Sequence, residues 1–523
     1  MSYSKPNASP ATLTKNRTDP CPVSGLCVTC IDGCPGPCEV AKSAIRGGEI
    51  IYPAPFGVIT TASQKNYPID LSHFNIMGTT VGAVGIEADS DKAIFPNVDL
   101  ETKIGQGKGI RLKVPWFTCA LGSTKIALDN WRELAIGAAI SGTMQVIGEN
   151  VCGMDAESKF NDGKVIHSPE LEYRVKTYKE WREEGYGAIV VQANIEDTRL
   201  GVHEYAISDL EVDAVELKWG QGAKDIGGEV KIKDMEKAQL LKRRGYIVLP
   251  DPENPDIIEA FKAGHFKEFE RHSRVGMVTE ETFLSRVKEL RSLGAKHVFL
   301  KTGAYRPADV ARAVKFSSLA RIDLLTIDGA GGGTGMSPWR MMNEWGIPSV
   351  EIWSLTYQYA DRLAKKGEYV PDIAFAGGIT MEDHIFKALA LGAPYVKAVG
   401  MARAPLTAAM VGKNVGRGIT EGNLPIYYGR YGNTIEATFI EASRLKKKFG
   451  KKFKDLPTGA MGLYTYNQRL IQGLKQFMCG ARKFAVRYIT RDDIVALTPE
   501  TAKASGISYV TDADKEEVEK ILG

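Results

Sequence analysis

The stretch LLTIDGAGGGTGMSPWR, residues 324–340, decides how the rest of the chain is read. An apolar run rich in leucine and isoleucine reaches Asp328 and breaks into five glycines and a threonine between Gly329 and Gly335. A buried strand that discharges into such a loop brings backbone close to a ligand, because glycine admits conformations and approaches that a Cβ forbids.

Working outward, seven more apolar runs share this pattern: VPWFTCAL from Val114, TMQVIGEN from Thr143, AIVVQAN from Ala188, AVELKWG from Ala214, HVFLKTG from His297, DIAFAGGI from Asp372 and YVKAVGM from Tyr395. Segments of helical periodicity separate most of them, among them KIALDNWRELAIGAAI, ETFLSRVKELRSLG, PADVARAVKFSSLA and MEDHIFKALALG. Eight strand-then-helix units predict an α/β fold, a (β/α)8 TIM barrel spanning 114–413. Chemistry in that fold sits where the strands end. Gly377, Gly378 and Ile379 follow the seventh strand, and Gly400, Met401, Ala402 and Arg403 follow the eighth and open a helix. Backbone N–H groups there suit a phosphate, with a helix N-terminus adding its dipole. FMN is the commonest occupant of such a site. IMP-dehydrogenase-like enzymes and phosphosugar isomerases share the arrangement, so the other loops must discriminate.

Those loops resemble, motif by motif from about Val114 to about Lys413, the FMN-binding domain of glutamate synthases. The 328–335 run is similar to that family's DGGTG-type loop, and Lys218, Trp219, Gly220, Gln221, Gly222, Ala223 and Lys224 with Gly227 and Gly228 resemble its K-x-x-QGAKPGxGG run. The resemblance implies cofactor contacts at Ala120, Leu121, Gly122, Ser123, Gln192, Lys218, Lys301, Asp328, Gly329, Gly331, Gly332, Gly333, Thr334 and Gly335, besides the two phosphate loops. It places Lys301 near the flavin N1–C2=O region and gives Lys218, Gln221, Lys224, Lys301 and Glu149 catalytic or substrate roles. Two lysines and a glutamine in one loop are suited physically to an anionic substrate beside an electron-rich ring.

Residues 1–44 comprise a polar tail and CPVSGLCVTCIDGCPGPCEV, which carries Cys21, Cys27, Cys30, Cys34 and Cys38, five of the chain's eight cysteines. Crowded thiolates repel unless a metal absorbs their charge, and the CxxCxxxC succession followed by proline is nearer iron–sulfur usage, of the 4Fe-4S type, than zinc. Residues 45–113 read as a preamble covering one end of the barrel, and 414–523 as a helical extension with a basic stretch around 445–454.

Charged residues at 25% and a net charge of +4 over 523 residues make no case for nucleic acid. No run of 18 uninterrupted apolar residues appears and the N-terminus lacks a secretory core, so a cytoplasmic protein with no membrane span is expected. The family's cluster cysteines after the eighth strand are missing from ARAPLTAAMVGKNVGRGI, its proline is Asp225 here, and nothing resembles its glutaminase domain. No dinucleotide fingerprint opens a helix after a strand. The expected enzyme is an FMN-dependent oxidoreductase that reduces the imine of a 2-oxo acid, most simply 2-oxoglutarate, and an amine. Electrons would enter through the N-terminal cluster from ferredoxin or a reductase subunit, with a separate glutaminase chain or free ammonia supplying nitrogen and a homo-oligomer as the assembly. An N-methylglutamate synthase, and a flavin and iron–sulfur electron-transfer subunit without its own substrate, are the alternatives.

Overall fold

A computed structural model describes residues 67–222, 229–330, 332 and 337–523. The five N-terminal cysteines, Lys224, Gly331, Gly333, Thr334 and Gly335 lie outside the described residues. Eight parallel strands close into a barrel: β1 Trp116–Leu121, β2 Gln145–Ile147, β3 Ile189–Ala193, β4 Ala214–Lys218, β5 Val298–Thr302, β6 Leu324–Asp328, β7 Asp372–Ala376 and β8 Val396–Met401. The expected barrel is therefore the fold observed. Its principal outer helices are α1 Trp131–Ile140, α2 Pro169–Trp181, α3 Val202–Ser208, α4 Glu280–Ser292, α5 Pro307–Leu319, α6 Ser349–Lys365, α7 Glu382–Gly392 and α8 Arg403–Glu421.

Alternate residues of each strand point into the barrel, and the character of that interior changes with height. The lower layers are apolar, with Phe117, Val146, Val190, Ala214, Phe299, Leu324 and Ala374 in one cluster. A hairpin made of Thr102–Ile104 and Ile110–Leu112 plugs the N-terminal end, and its Ile104, Ile110 and Leu112 join the same cluster. Two residues farther along the strands the interior turns polar, with Gln192, Glu216, Lys301 and Thr326 buried, and Asp328, two residues beyond Thr326, is buried as well. The plug keeps water out from below, so the polar layer faces the C-terminal mouth.

Two additions join the barrel, the first not separated in the sequence and the second within the expected C-terminal helical extension. Between β4 and α4 the chain builds a three-stranded antiparallel sheet from Glu229–Ile232, Ile247–Leu249 and Phe269–His272, the last in the middle. After α8 a long helix, α9 Thr458–Gly480, crosses α8 and α1. Its buried Asn467 accepts from Trp116 Nε1 and donates to Ser141 Oγ, both at 3.0 Å, which ties α9 to the foot of β1 and the end of α1. Phe74–Ile76 pairs with Ile494–Ala496, so the preamble and the C-terminal extension meet in one small sheet.

Gly400 and Met401 belong to β8 rather than to the loop after it, and Ala402 is the N-cap of α8. A Cβ on Gly400 would lie 2.4 Å from Cys119 Sγ and 3.3 Å from Ala376 Cβ. Gly400→Ala should therefore overpack the barrel and lower stability by about 1–3 kcal/mol, and Cys119→Ala should relieve most of that loss. Denaturant midpoints of the two single variants and the double variant measure it; additive losses would refute the contact.

Candidate active site at the barrel mouth

Register puts the site's charges side by side. Lys301 on β5 is paired with Lys218 on β4 and with Thr326 on β6, and Gln192 on β3 is paired with Glu216 on β4. Two adjacent ammonium groups in a barrel need anions, and each has one. Lys301 Nζ lies 3.1 Å from Asp328 Oδ2, both side chains being at most 10% exposed. Lys218 Nζ lies 2.5 Å from Glu149 Oε1 and donates to Gln221 Oε1 at 3.1 Å. Burial works against the Lys301 charge, but the Asp328 carboxylate first and Glu216 with it outweigh burial and hold the ammonium above the usual lysine range. Lys301 is thus a fixed cation.

Burial pushes the Cys119 thiol up to about 12, with Lys301 opposing and the Asp328 and Glu216 carboxylates adding to the rise, so this cysteine is a small apolar filler and not a nucleophile. Cys152 is fully buried, and burial likewise drives its thiol up. Cys479 is half-buried with Ala93 O at 3.8 Å. Among the described residues no three His, Cys, Asp or Glu side chains group as a metal site.

On the opposite side of the mouth β6 and β7 end in a tight backbone crossing. Gly329 N donates to Ala376 O at 2.9 Å, and Ser349 Oγ at the start of α6 donates to Ala330 O and Gly377 O. Gly377 and Gly378 have φ of 115° and 95°, conformations that a side chain rarely adopts. A Cβ on Gly378 would meet nothing within 4 Å, so the backbone there borders open space. Arg403, at the first turn of α8, is depressed by burial with the Asp328 carboxylate opposing, which sets it toward the same carboxylate as Lys301.

The mouth of β1 depends on a residue that no motif marked. Arg174 of α2 has no exposed side-chain surface and donates through Nη1 to Leu121 O at 3.2 Å and Gly122 O at 3.0 Å. Its other terminal nitrogen bonds Glu170, and its guanidinium sits 4.8 Å from the centre of the Trp131 ring. Gly148 N also donates to Leu121 O, and a Cβ on Gly122 would lie 2.4 Å from Glu149 O. The segment 120–123 is thereby pinned from behind, and Glu149 is packed on it. Only the fold brings Arg174 there; the helical pattern of PELEYRVKTYKEW marks it as one more surface charge.

A second support lies behind Glu149. Asn150 adopts φ 66°, its N–H bonds the Asp197 carboxylate at 2.9 Å, and buried Arg271 of the inserted sheet reaches its side-chain oxygen at 3.4 Å. Burial raises Asp197 to about 7, with the Asn150 N–H opposing and Glu149 adding to the rise.

A cavity of about 230 Å³ opens beside Lys218, Gln221 and Glu149, with Leu217, Trp219 and Phe283 among its apolar walls. A larger open depression around His167 and Lys179 faces outward from α2, away from the mouth. Three polar atoms of the barrel's upper interior are buried with no hydrogen-bond partner: Gln192 Oε1, Gln221 Nε2 and Thr326 Oγ1. Unpaired buried groups of this kind cost about 1–3 kcal/mol each, so their concentration at a mouth bordered by open glycine backbone fits a polar, planar ligand with an anionic tail. FMN matches that description.

Fold and site define a (β/α)8 barrel built to hold a polar ligand between paired lysines and glycine-lined strand ends. Residues 272–412 match the family model described as the conserved region in glutamate synthase. The chain is similar to the archaeal-type glutamate synthase [NADPH] of Dehalococcoides mccartyi, with 27% identity over 309 residues, 58% of this chain. The match spans about half of that relative, 51% of its length. Among solved structures, the recombinant flavin-binding domain of baker's yeast flavocytochrome b2 aligns at 14% identity and a TM-score of 0.47, covering 86% of this chain and 81% of that one. A mandelate oxidase variant with benzaldehyde aligns at 14% and 0.42, covering 80% and 86%. No helix among the described residues is long and apolar enough to cross a membrane.

Asp197 generates a pH prediction. The folded carboxyl releases its proton near 7 and an unfolded one near its ordinary 3.8, so between those values the folded state binds the extra proton and stability falls as pH rises. Asp197→Asn should flatten that fall, read as denaturant midpoints at about pH 5 and about pH 7; a parental slope in the variant would reassign the titration.

Proposed function

We propose that this chain is an FMN-dependent oxidoreductase of the glutamate synthase type, reducing the imine of 2-oxoglutarate and ammonia to glutamate. The observation that carries this reading is the in-register lysine pair Lys218 and Lys301, each bound to its own carboxylate, beside the unpaired buried amide atoms of Gln192 and Gln221. The family match over residues 272–412 supports it.

The bed for the cofactor would be residues 120–123 with Gln192, Lys301, Asp328 and Gly329, and its phosphate would meet Gly377, Gly378 and Ile379 and the Gly400 to Arg403 segment. FMN, when bound, supplies the hydride. Lys301 holds a permanent positive charge where the reduced, anionic form of the ring needs one. Lys218, with Gln221, binds the oxo acid's carboxylate and carbonyl as donors. Glu149, one hydrogen bond from Lys218, is placed to hold the proton that an ammonium loses and an imine nitrogen gains. The plug below the mouth and the apolar layers above it exclude water from beneath the site.

Electrons would arrive through an iron–sulfur cluster at Cys21, Cys27, Cys30, Cys34 and Cys38 from a separate carrier protein, and nitrogen as free ammonia or from a glutaminase partner. A second reading, an N-alkyl amine in place of ammonia as in N-methylglutamate synthesis, is favoured by the apolar walls of the 230 Å³ cavity beside Lys218.

Anaerobic protein should show flavin bands over a broad iron–sulfur shoulder, with the shoulder lost in Cys27→Ser and Cys30→Ser. Chemically reduced flavin should be reoxidised by 2-oxoglutarate with ammonium, and glutamate should form. Lys301→Met should slow that reoxidation by about 100-fold or more, the scale of losing a preorganised charge at a reacting centre. Flavin that is reoxidised by neither 2-oxoglutarate and ammonium nor 2-oxoglutarate and methylammonium would leave an electron-transfer subunit as the reading. Protein that takes up no FMN would refute the assignment.

A further inference from the structure

An amide side chain has a donor end and an acceptor end, and its neighbours decide which end faces a ligand. Gln192 is 1% exposed and gives its Nε2 to Glu216 Oε1 at 2.5 Å. A carboxylate can only accept, so this contact commits the nitrogen and turns Oε1 away, where it is buried without a protein partner. Gln221 is committed in the opposite sense. Its Oε1 accepts from Lys218 Nζ at 3.1 Å, a lysine can only donate, and Nε2 is left buried without a protein partner. The mouth therefore offers one fixed acceptor from the end of β3 and one fixed donor from the loop after β4.

Glu216 is the origin of the first of these. It is 2% exposed, projects into the polar layer of the barrel, and is set beside Gln192 by the β3–β4 register. Burial raises its carboxyl, while Lys301, the Gln192 hydrogen bond and Lys218 act to keep it ionised. No motif drew attention to it, and beyond its share in holding the Lys301 charge no role described above uses it. A buried carboxylate in a site that must also hold an electron-rich ring costs stability unless it does something specific.

We propose that Glu216 is a positioning residue that sets the polarity of the ligand site: by holding the nitrogen of Gln192 it makes that side chain an obligate acceptor, so the ring bound there must present an N–H. With the donor of Gln221 it selects a heterocyclic edge that carries an N–H next to carbonyls. The imide edge of a flavin, whose N3–H lies between two carbonyls, has this chemistry. This inference rests on the flavin reading above and deepens it.

The test is a two-by-two titration of apoprotein, wild type and Glu216→Gln, with FMN and with N3-methyl-FMN, which lacks the N–H. A neutral amide at position 216 can pair with either end of Gln192, so the orientation is released. Wild type should lose at least about 10-fold in affinity, near 1.4 kcal/mol, on N3-methylation. Glu216→Gln should bind FMN more weakly than wild type and discriminate between the two flavins by less than about 3-fold. Its bound FMN should also show a shifted visible spectrum and a higher reduction potential, because an anion near the ring is gone. A purely structural role would change the melting temperature and leave discrimination and potential where they were. Glu216→Asp, which keeps the charge on a shorter stem, should retain most of the discrimination; should Glu216→Gln not fold, the wild-type penalty and the Asp variant decide. Equal penalties in wild type and variant, or a wild-type penalty below about 3-fold, overturn the role of Glu216 alone. A wild type that binds no FMN overturns the flavin reading, and this inference with it.

Discussion

An ammonium group inside a parallel barrel has to be answered by a carboxylate, and the contact from Lys301 Nζ to Asp328 Oδ2 is that answer. Both residues sit near the ends of strands whose lower parts are apolar, so neither charge can reach bulk water from below. Removing one partner of such a pair strands the other, at about 3–5 kcal/mol. The pair therefore commits β5 and β6 to neighbouring positions in the mouth and makes the glycine turn after Asp328 follow in a defined direction. Gly329 then bonds Ala376, Ser349 locks the β6 and β7 turns together, and the open backbone of Gly378 comes to border the site.

The rest of the mouth is a set of paired commitments. Lys218 is held by Glu149 and Gln221, Gln192 by Glu216, and the β1 carbonyls by Arg174. Each support arrives from a different element: the loop after β2, the loop after β4, strand β4 itself, and helix α2. The inserted sheet adds Arg271 behind Asn150, so a unit outside the barrel helps to fix the loop that carries Glu149. Preorganisation of this kind is what a site needs when its charges must already be in place before the ligand arrives.

Much of this was legible in the chain. Asp328, Gly377 and Gly378, Lys301 and Lys218 announce themselves, because a glycine or a lysine at the end of an apolar run contradicts its surroundings and calls for a reason. The eight-strand count survived as read. Glu216 and Arg174 were not legible: glutamate in AVELKWG and arginine in PELEYRVK look like ordinary strand-edge and helix-surface charges. Gly400 was read as loop, and its packing against Cys119 within β8 depends on two strands distant in sequence. The strands and helices of residues 229–272 were passed over because their short runs have neither a long period nor a glycine signature.

Local patterns of polarity and glycine were enough for the barrel, for its polar end, and for the lysines and carboxyl-terminal strand glycines at that end, since period-two burial and backbone clearance are properties of a few neighbouring residues. Which carboxylate faces which lysine, which end of each glutamine is turned inward, and what holds the β1 turn were settled only when the sheet closed. Those are matters of register between strands far apart in the chain, and register is fixed by the packing of the whole barrel around its apolar layers.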